Sequence, residues 1–138
     1  MKKVSISQNE HQSMTSSYGD IDKELENLGY CYYFKLADRM RERNLTVRKL
    51  AALSGLRLAT ISDLMLGKKN SINLHHLIIL MSVLRIHKLE DIIEIHVPDS
   101  IKENMDTEKN EWLATYTVPE ETNRLSTIIN ETPKEENK

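Results

Sequence analysis

The tightest constraint in this sequence is a register of small, flexible and aliphatic residues between Thr46 and Leu66, TVRKLAALSGLRLATISDLML. Two short helices that cross steeply need a small side chain where their backbones meet, and Ala51 supplies it. The turn between them needs a residue at ease with positive φ, which Gly55 provides four residues later. The second helix must then bury one aliphatic residue and another three positions on, and Ile61 and Leu64 stand at that spacing. Everything between those anchors is expected to face away from the core: Arg57, Leu58, Ala59, Thr60, Ser62 and Asp63. A protruding helix with a short, mostly small outer face fits a major groove about 12 Å wide. Each feature alone is common. Their joint register, followed by a glycine-lysine turn and a further apolar helix, is much more specific.

The flanking sequence reads as mostly helical. Residues 1–17 are polar and without periodicity, which predicts a mobile arm. Ile21, Leu25 and Leu28 share a helical face, and Gly29 can end that helix. Residues 31–43 are expected to form a helix with Tyr33, Leu36, Ala37 and Met40 inward and Lys35, Arg39, Arg41 and Arg43 outward. Asn44 can terminate it, and Thr46 offers an N-cap to the next helix, where Leu50 and Leu53 are expected to bury. The third helix runs from about Arg57 to Leu66 and stops at Gly67. Asn73 can cap a fourth helix with Leu74, Leu77, Ile78, Met81 and Leu84 in its stripe. A short fifth helix is expected at about 89–95, before Pro98. Residues 98–111 read as a charged linker and 112–118 as a possible short strand. Pro119, Glu120 and Glu121 suit a helix start, with Leu125, Ile128 and Ile129 as its apolar face. Residues 132–138 read as disordered. The organisation is therefore an arm over 1–29 with a short amphipathic helix, an all-α domain over 30–97, and an acidic extension over 98–138.

Charge sharpens that division. The formal net charge is only −2, yet residues 30–97 carry eleven Lys/Arg against six acids, while 98–138 carry five against ten. A basic middle between acidic ends suits a DNA-binding core with solvated tails, although charge segregation alone decides little. With one Cys, Cys31, no internal disulfide is possible, and the chain reads as an occupant of a reducing, cytoplasmic compartment. No apolar run is long enough to span a bilayer or to serve as a signal peptide.

These residues resemble the phage-repressor (Cro/repressor, XRE) class of helix-turn-helix proteins over roughly residues 33–95. The resemblance is carried by Leu45-Thr46, Leu50-Ala51, Gly55, Ile61-Ser62, Leu64, Gly67-Lys68, and Leu84 with Ile86. It implies a five-helix, lambda-repressor-like bundle whose third helix reads base edges and which binds as a dimer. Three positions depart from the pattern. Val47 stands where many members carry Gln. Met40 and Met65 stand where many pair Arg with Glu, a replacement that removes the need to desolvate charge. Arg85 stands where glycine is usual, and the segment after it is about one residue longer than is typical.

Roles follow as expectations. Arg57 is the candidate for a bidentate contact to guanine, Leu58 and Ala59 for contacts to thymine methyl groups, Thr60 for a base or phosphate, Ser62 for a phosphate, and Asp63 for cytosine N4. Thr46, Arg48, Lys68, Lys69 and Asn70 are the candidate phosphate contacts, which position without specifying. The bland reading of the basic residues is a solvated helix face, and that of Leu58 is packing on the preceding helix.

Other chemistry finds little support. His75 and His76 are adjacent and diverge on a helix, while His87 and His96 lack a Cys or acid at ligand spacing, so no metal is expected. Cys31 has no assignable base, and the 41 residues after Val97 are too few for the self-cleaving peptidase of some longer relatives. No catalytic site and no cofactor are expected. The leading expectation is a dimeric, sequence-specific regulator of transcription on double-stranded DNA, acting as a repressor. The alternative is an antitoxin-like or other interaction protein whose acidic tail folds on a partner protein. A third keeps the fold without DNA binding, since fold does not dictate function.

Overall fold

Residues 1–6, 19–69 and 71–131 are described by a computed structural model. In chain order they form β1 (Lys2–Ser5), α1 (Gly19–Leu28), β2 (Cys31–Phe34), α2 (Leu36–Glu42), α3 (Val47–Ser54), α4 (Leu58–Leu66), α5 (Leu74–Leu84), a 3-10 turn (Leu89–Asp91), β3 (Ile93–His96), α6 (Asp99–Thr115) and α7 (Glu120–Glu131). The three strands pair in the order β1-β2-β3. The chain divides into two units, one of Met1–Val4 and Tyr32–Ile95, the other of Ser5–Cys31 and His96–Lys138.

In the first unit, local chemistry sets the helix ends. Asn44 (φ 54) closes the turn after α2 in the left-handed conformation that asparagine tolerates. The Thr46 hydroxyl accepts from the Lys49 N–H at 3.1 Å and starts α3. Asn73 accepts from the N–H groups of His75 and His76 at 2.8 and 3.2 Å and starts α5. Between them one core forms. Leu36 and Met40 of α2, Leu50 of α3, Ile61 of α4, and Leu77, Leu80 and Leu84 of α5 pack with Ile86 and Ile92. Leu45, Val47, Ala51, Leu64 and Met65 close its edges. Met40 is buried in this core, and Met65 packs at its margin. The core needs no buried ion pair between them.

The expectation of an all-α bundle of five helices is corrected by the sheet. Residues 31–34 were expected to open a helix, but CYYF has the aromatic content a strand favours, and both Cys31 and Phe34 are buried. The fifth helix expected at 89–95 is instead the 3-10 turn followed by β3. The backbone N–H of Lys35 donates to the Ile92 carbonyl at 2.7 Å, and the Lys35 ammonium pairs with Glu94. Lys2–Ser5, expected in the mobile arm, is an outer strand because Val4 finds a buried site. The rest of that arm, residues 7–18, lies outside the described residues, as do 132–138. Leu53, expected in the core, is 50% exposed.

The second unit holds α1, α6 and α7. Ile21 is buried on α1, and Gly29 (φ +103) ends that helix so close to Pro98 that a Cβ would lie 2.8 Å from its Cγ. Helix α1 packs on α7, where Arg124 bridges Glu24 at 2.7 Å and Glu121 at 2.7 Å. The expected linker over 98–111 and the possible strand over 112–118 are corrected by α6, which runs unbroken through Trp112 to Thr115. Residues 99–115 contain no Gly or Pro and include three Glu and two Lys, both good helix formers. None of them is fully buried, and their apolar face, Ile101, Met105 and Trp112, is sparse and interrupted by Glu108, which obscures the stripe.

Candidate nucleic-acid interface

The α3–α4 pair is fixed by its turn. Gly55 adopts φ 76, and its N–H donates to the Ala51 carbonyl at 2.8 Å. Ser54 then ties the corner from both sides, its hydroxyl donating to the Leu50 carbonyl at 2.7 Å and accepting from the Leu56 N–H at 3.2 Å. Leu50 and Ile61 are fully buried beneath the two helices. At the far end, Gly67 (φ +65) closes α4 against the sheet. A Cβ there would lie 2.7 Å from both Phe34 and Val4, so only glycine lets the helix end rest that close to β1 and β2. Both ends of α4 are therefore clamped while its outer side stays open.

That outer side presents Arg57, Leu58 and Ala59 as exposed residues, with Ser62 and Asp63 half-buried beside them. Arg57 is the N-cap residue of α4, and its side chain is exposed and makes no capping bond. Thr46 and Arg48, before α4 in the chain, and Lys68, just after it, are exposed. Over the first unit the sequence supplies thirteen Lys/Arg against six acids.

A scan against family models matches residues 35–99 to the Cro/C1-type HTH DNA-binding domain. This segment is therefore similar to the helix-turn-helix domains of the Cro/C1 type. No curated protein and no solved structure matches the chain significantly.

Within this helix-turn-helix the expected site residues are not equivalent. Arg57, Leu58 and Ala59 share one exposed surface. Thr60 instead turns toward a cleft of about 250 Å³, lined with it by Phe34, Asp63, Leu64, Lys69, Ser71, Ile72, Asn73 and His76. Asp63 pairs with Lys69 at 3.6 Å, so the acid expected at a cytosine and the base expected at a phosphate face each other in the free protein. Asn70 lies outside the described residues. Two further residues belong to the surface and were not singled out from sequence. Lys49 is exposed next to Arg48 in the first turn of α3, a signal legible in the helical numbering. Leu66 is 43% exposed and lies one turn beyond Ser62. A leucine just before a helix-ending glycine looks like core, which hid it.

Arg85 takes the left-handed backbone (φ 59) where the family pattern has glycine, and its N–H donates to the carbonyls of Met81 and Ser82. Among the described residues no group of three His, Cys, Asp or Glu could hold a metal ion, and no helix is long and apolar enough to cross a membrane.

Proposed function

We propose that this chain is a sequence-specific regulator of transcription that binds double-stranded DNA through α3 and α4 and represses by occluding a promoter. The observation that carries the reading is the open side of α4, where Arg57, Leu58 and Ala59 are exposed, with the basic residues Arg48, Lys49 and Lys68 exposed on the segments that flank it in the chain. In this reading residues 30–97 are the DNA-binding domain, working in the cytoplasm without a cofactor or catalytic step. Arg57 makes a bidentate contact to guanine, while Leu58, Ala59 and Ser62 lie along the groove. Thr46, Arg48, Lys68 and Asn70 hold phosphates. Lys69 and Asp63 reach DNA only if their ion pair opens, and Thr60 contributes from the cleft side.

The chain binds as a homodimer on two half-sites about 34 Å apart, one turn of duplex, because a single short helix reads too few base pairs to specify a site. Selecting bound sequences from a random duplex pool tests this. A consensus with two related half-sites at that spacing is expected, and a pool that stays random after repeated selection would refute it.

A second reading concerns residues 98–138. Helix α6 has 17 residues and none is buried, while Trp112, Leu113, Tyr116 and Val118 are exposed around its end. An isolated helix of that length is marginal in water, which favours a covering partner. That partner is the second protomer, or, in an antitoxin-like role, a different protein. The mass of the purified chain in sedimentation equilibrium separates the two: a dimer supports self-association, a monomer a foreign partner.

A further inference from the structure

The outer face of α4 has a composition unusual for reading hydrogen-bonding groups. At 100° per residue, Leu58, Ala59, Ser62, Asp63 and Leu66 fall on one side of the helix. The helix sequence LATISDLML contains no Asn, Gln, Lys or Arg, the residues that read base edges by paired donors. Of its polar groups, Asp63 faces Lys69 at 3.6 Å and Thr60 lines the cleft, leaving the Ser62 hydroxyl. What remains outward is apolar: Leu58 and Leu66, each 43% exposed, with Ala59 between them. Leucine side chains left half in water gain by covering apolar surface. In the major groove that surface is the C5-methyl group of thymine, which no other DNA base presents.

We infer that this chain recognises its operator chiefly through thymine methyl groups, with Leu58, Ala59 and Leu66 as the contacting residues, so each half-site is A·T-rich beside the guanine assigned to Arg57. The inference rests on the DNA-binding reading above and narrows it to one chemical feature of the duplex.

Replacing thymine by deoxyuridine removes the methyl and leaves pairing unchanged. With the full chain and a duplex carrying the selected consensus, each contacted thymine replaced is expected to weaken binding about fourfold, the equivalent of losing one buried methyl group. Cytosine and 5-methylcytosine duplexes at the same position, compared with each other, are expected to differ in the same direction. Leu58→Ala, an exposed position whose change leaves the core intact, should bind thymine and deoxyuridine duplexes alike at its contact, and Leu66→Ala should do so at another. A consensus whose affinity is indifferent to deoxyuridine at every position overturns the methyl inference while leaving DNA binding intact. Failure to obtain any consensus overturns the inference together with the reading beneath it.

Discussion

Arg85 holds a backbone conformation that costs an L-residue about 1–2 kcal/mol. It does so to close α5 with two N–H contacts and deliver Ile86 to the core. Its side chain gains little in return, a 3.3 Å bond to the Ser82 carbonyl at an exposed site. Arg85→Gly is therefore expected to raise stability, by about 0.5–1 kcal/mol once glycine's larger unfolded-state entropy is set against the relieved strain. A urea midpoint that falls would show that the guanidinium matters more than the backbone. Gly67 is the opposite case. Gly67→Ala adds a Cβ 2.7 Å from Phe34 and Val4 at φ +65, and the unfolding free energy should drop by more than about 1 kcal/mol. Because Gly67 also sets the end of α4, DNA affinity should fall further than stability alone explains. These residue-scale features were legible as glycine punctuation and as a departure from family pattern. The contacts that make Gly67 indispensable come from β1 and β2, which no local pattern near residue 67 reveals.

Among the elements, α3 and α4 were readable because several signals agree: a capping threonine, a left-handed glycine, and a buried aliphatic residue on each helix, Leu50 and Ile61, although Leu53 misled. The strands were not. Each has four residues, too few to show alternation, and each is stabilised by pairing with residues distant in the chain. Helix α6 escaped for a different reason: its apolar face, Ile101, Met105 and Trp112, is sparse and interrupted by Glu108. If the helix-turn-helix lies across the duplex as proposed, its flanking cations and its reading residue separate cleanly. Arg48→Ala with Lys68→Ala should weaken all duplexes alike and flatten the salt dependence of affinity by roughly two in log–log slope. Arg57→Ala should instead relax preference at one base pair per half-site. Equal loss of specificity from both would reverse the assignment.

An ion pair within α7 carries its own pH signature. The hydrogen bond from Arg124 holds the Glu121 carboxyl below its usual value, with the charge of Arg124 acting the same way, and the Arg124 guanidinium is raised correspondingly. A depressed carboxyl stabilises the folded state above its unfolded pKa and loses that contribution as pH falls through the folded one. Helix α7 should thus lose stability on acidification through the lower carboxylate range, and the effect should fade in Glu121→Gln. Since these groups are partly exposed, high salt should blunt it too. Amide exchange in α1 and α7 followed against pH provides the measurement.

Over the whole molecule, charge is sorted by unit rather than by position along the chain. The first unit has thirteen Lys/Arg against six acids and the second six against fifteen, so a nearly neutral protein contains a strongly basic part and a strongly acidic one. The sequence showed a basic middle between acidic ends. That the two ends form one acidic unit, with α1 packed on α7, required the fold. An acidic unit adds nothing to phosphate affinity, so its use must lie elsewhere, and the exposed Trp112 and Leu113 on α6 indicate where. If α6 joins two protomers, Trp112→Ser with Leu113→Ser should turn a dimer into a monomer in sedimentation equilibrium. Affinity for an isolated half-site should stay within about twofold, because no DNA-facing residue changes, while the gain from a second half-site should vanish. Both effects must appear together. A monomer that still binds two half-sites cooperatively would place the protomer contact on another surface, and an intact dimer would leave α6 to a different protein.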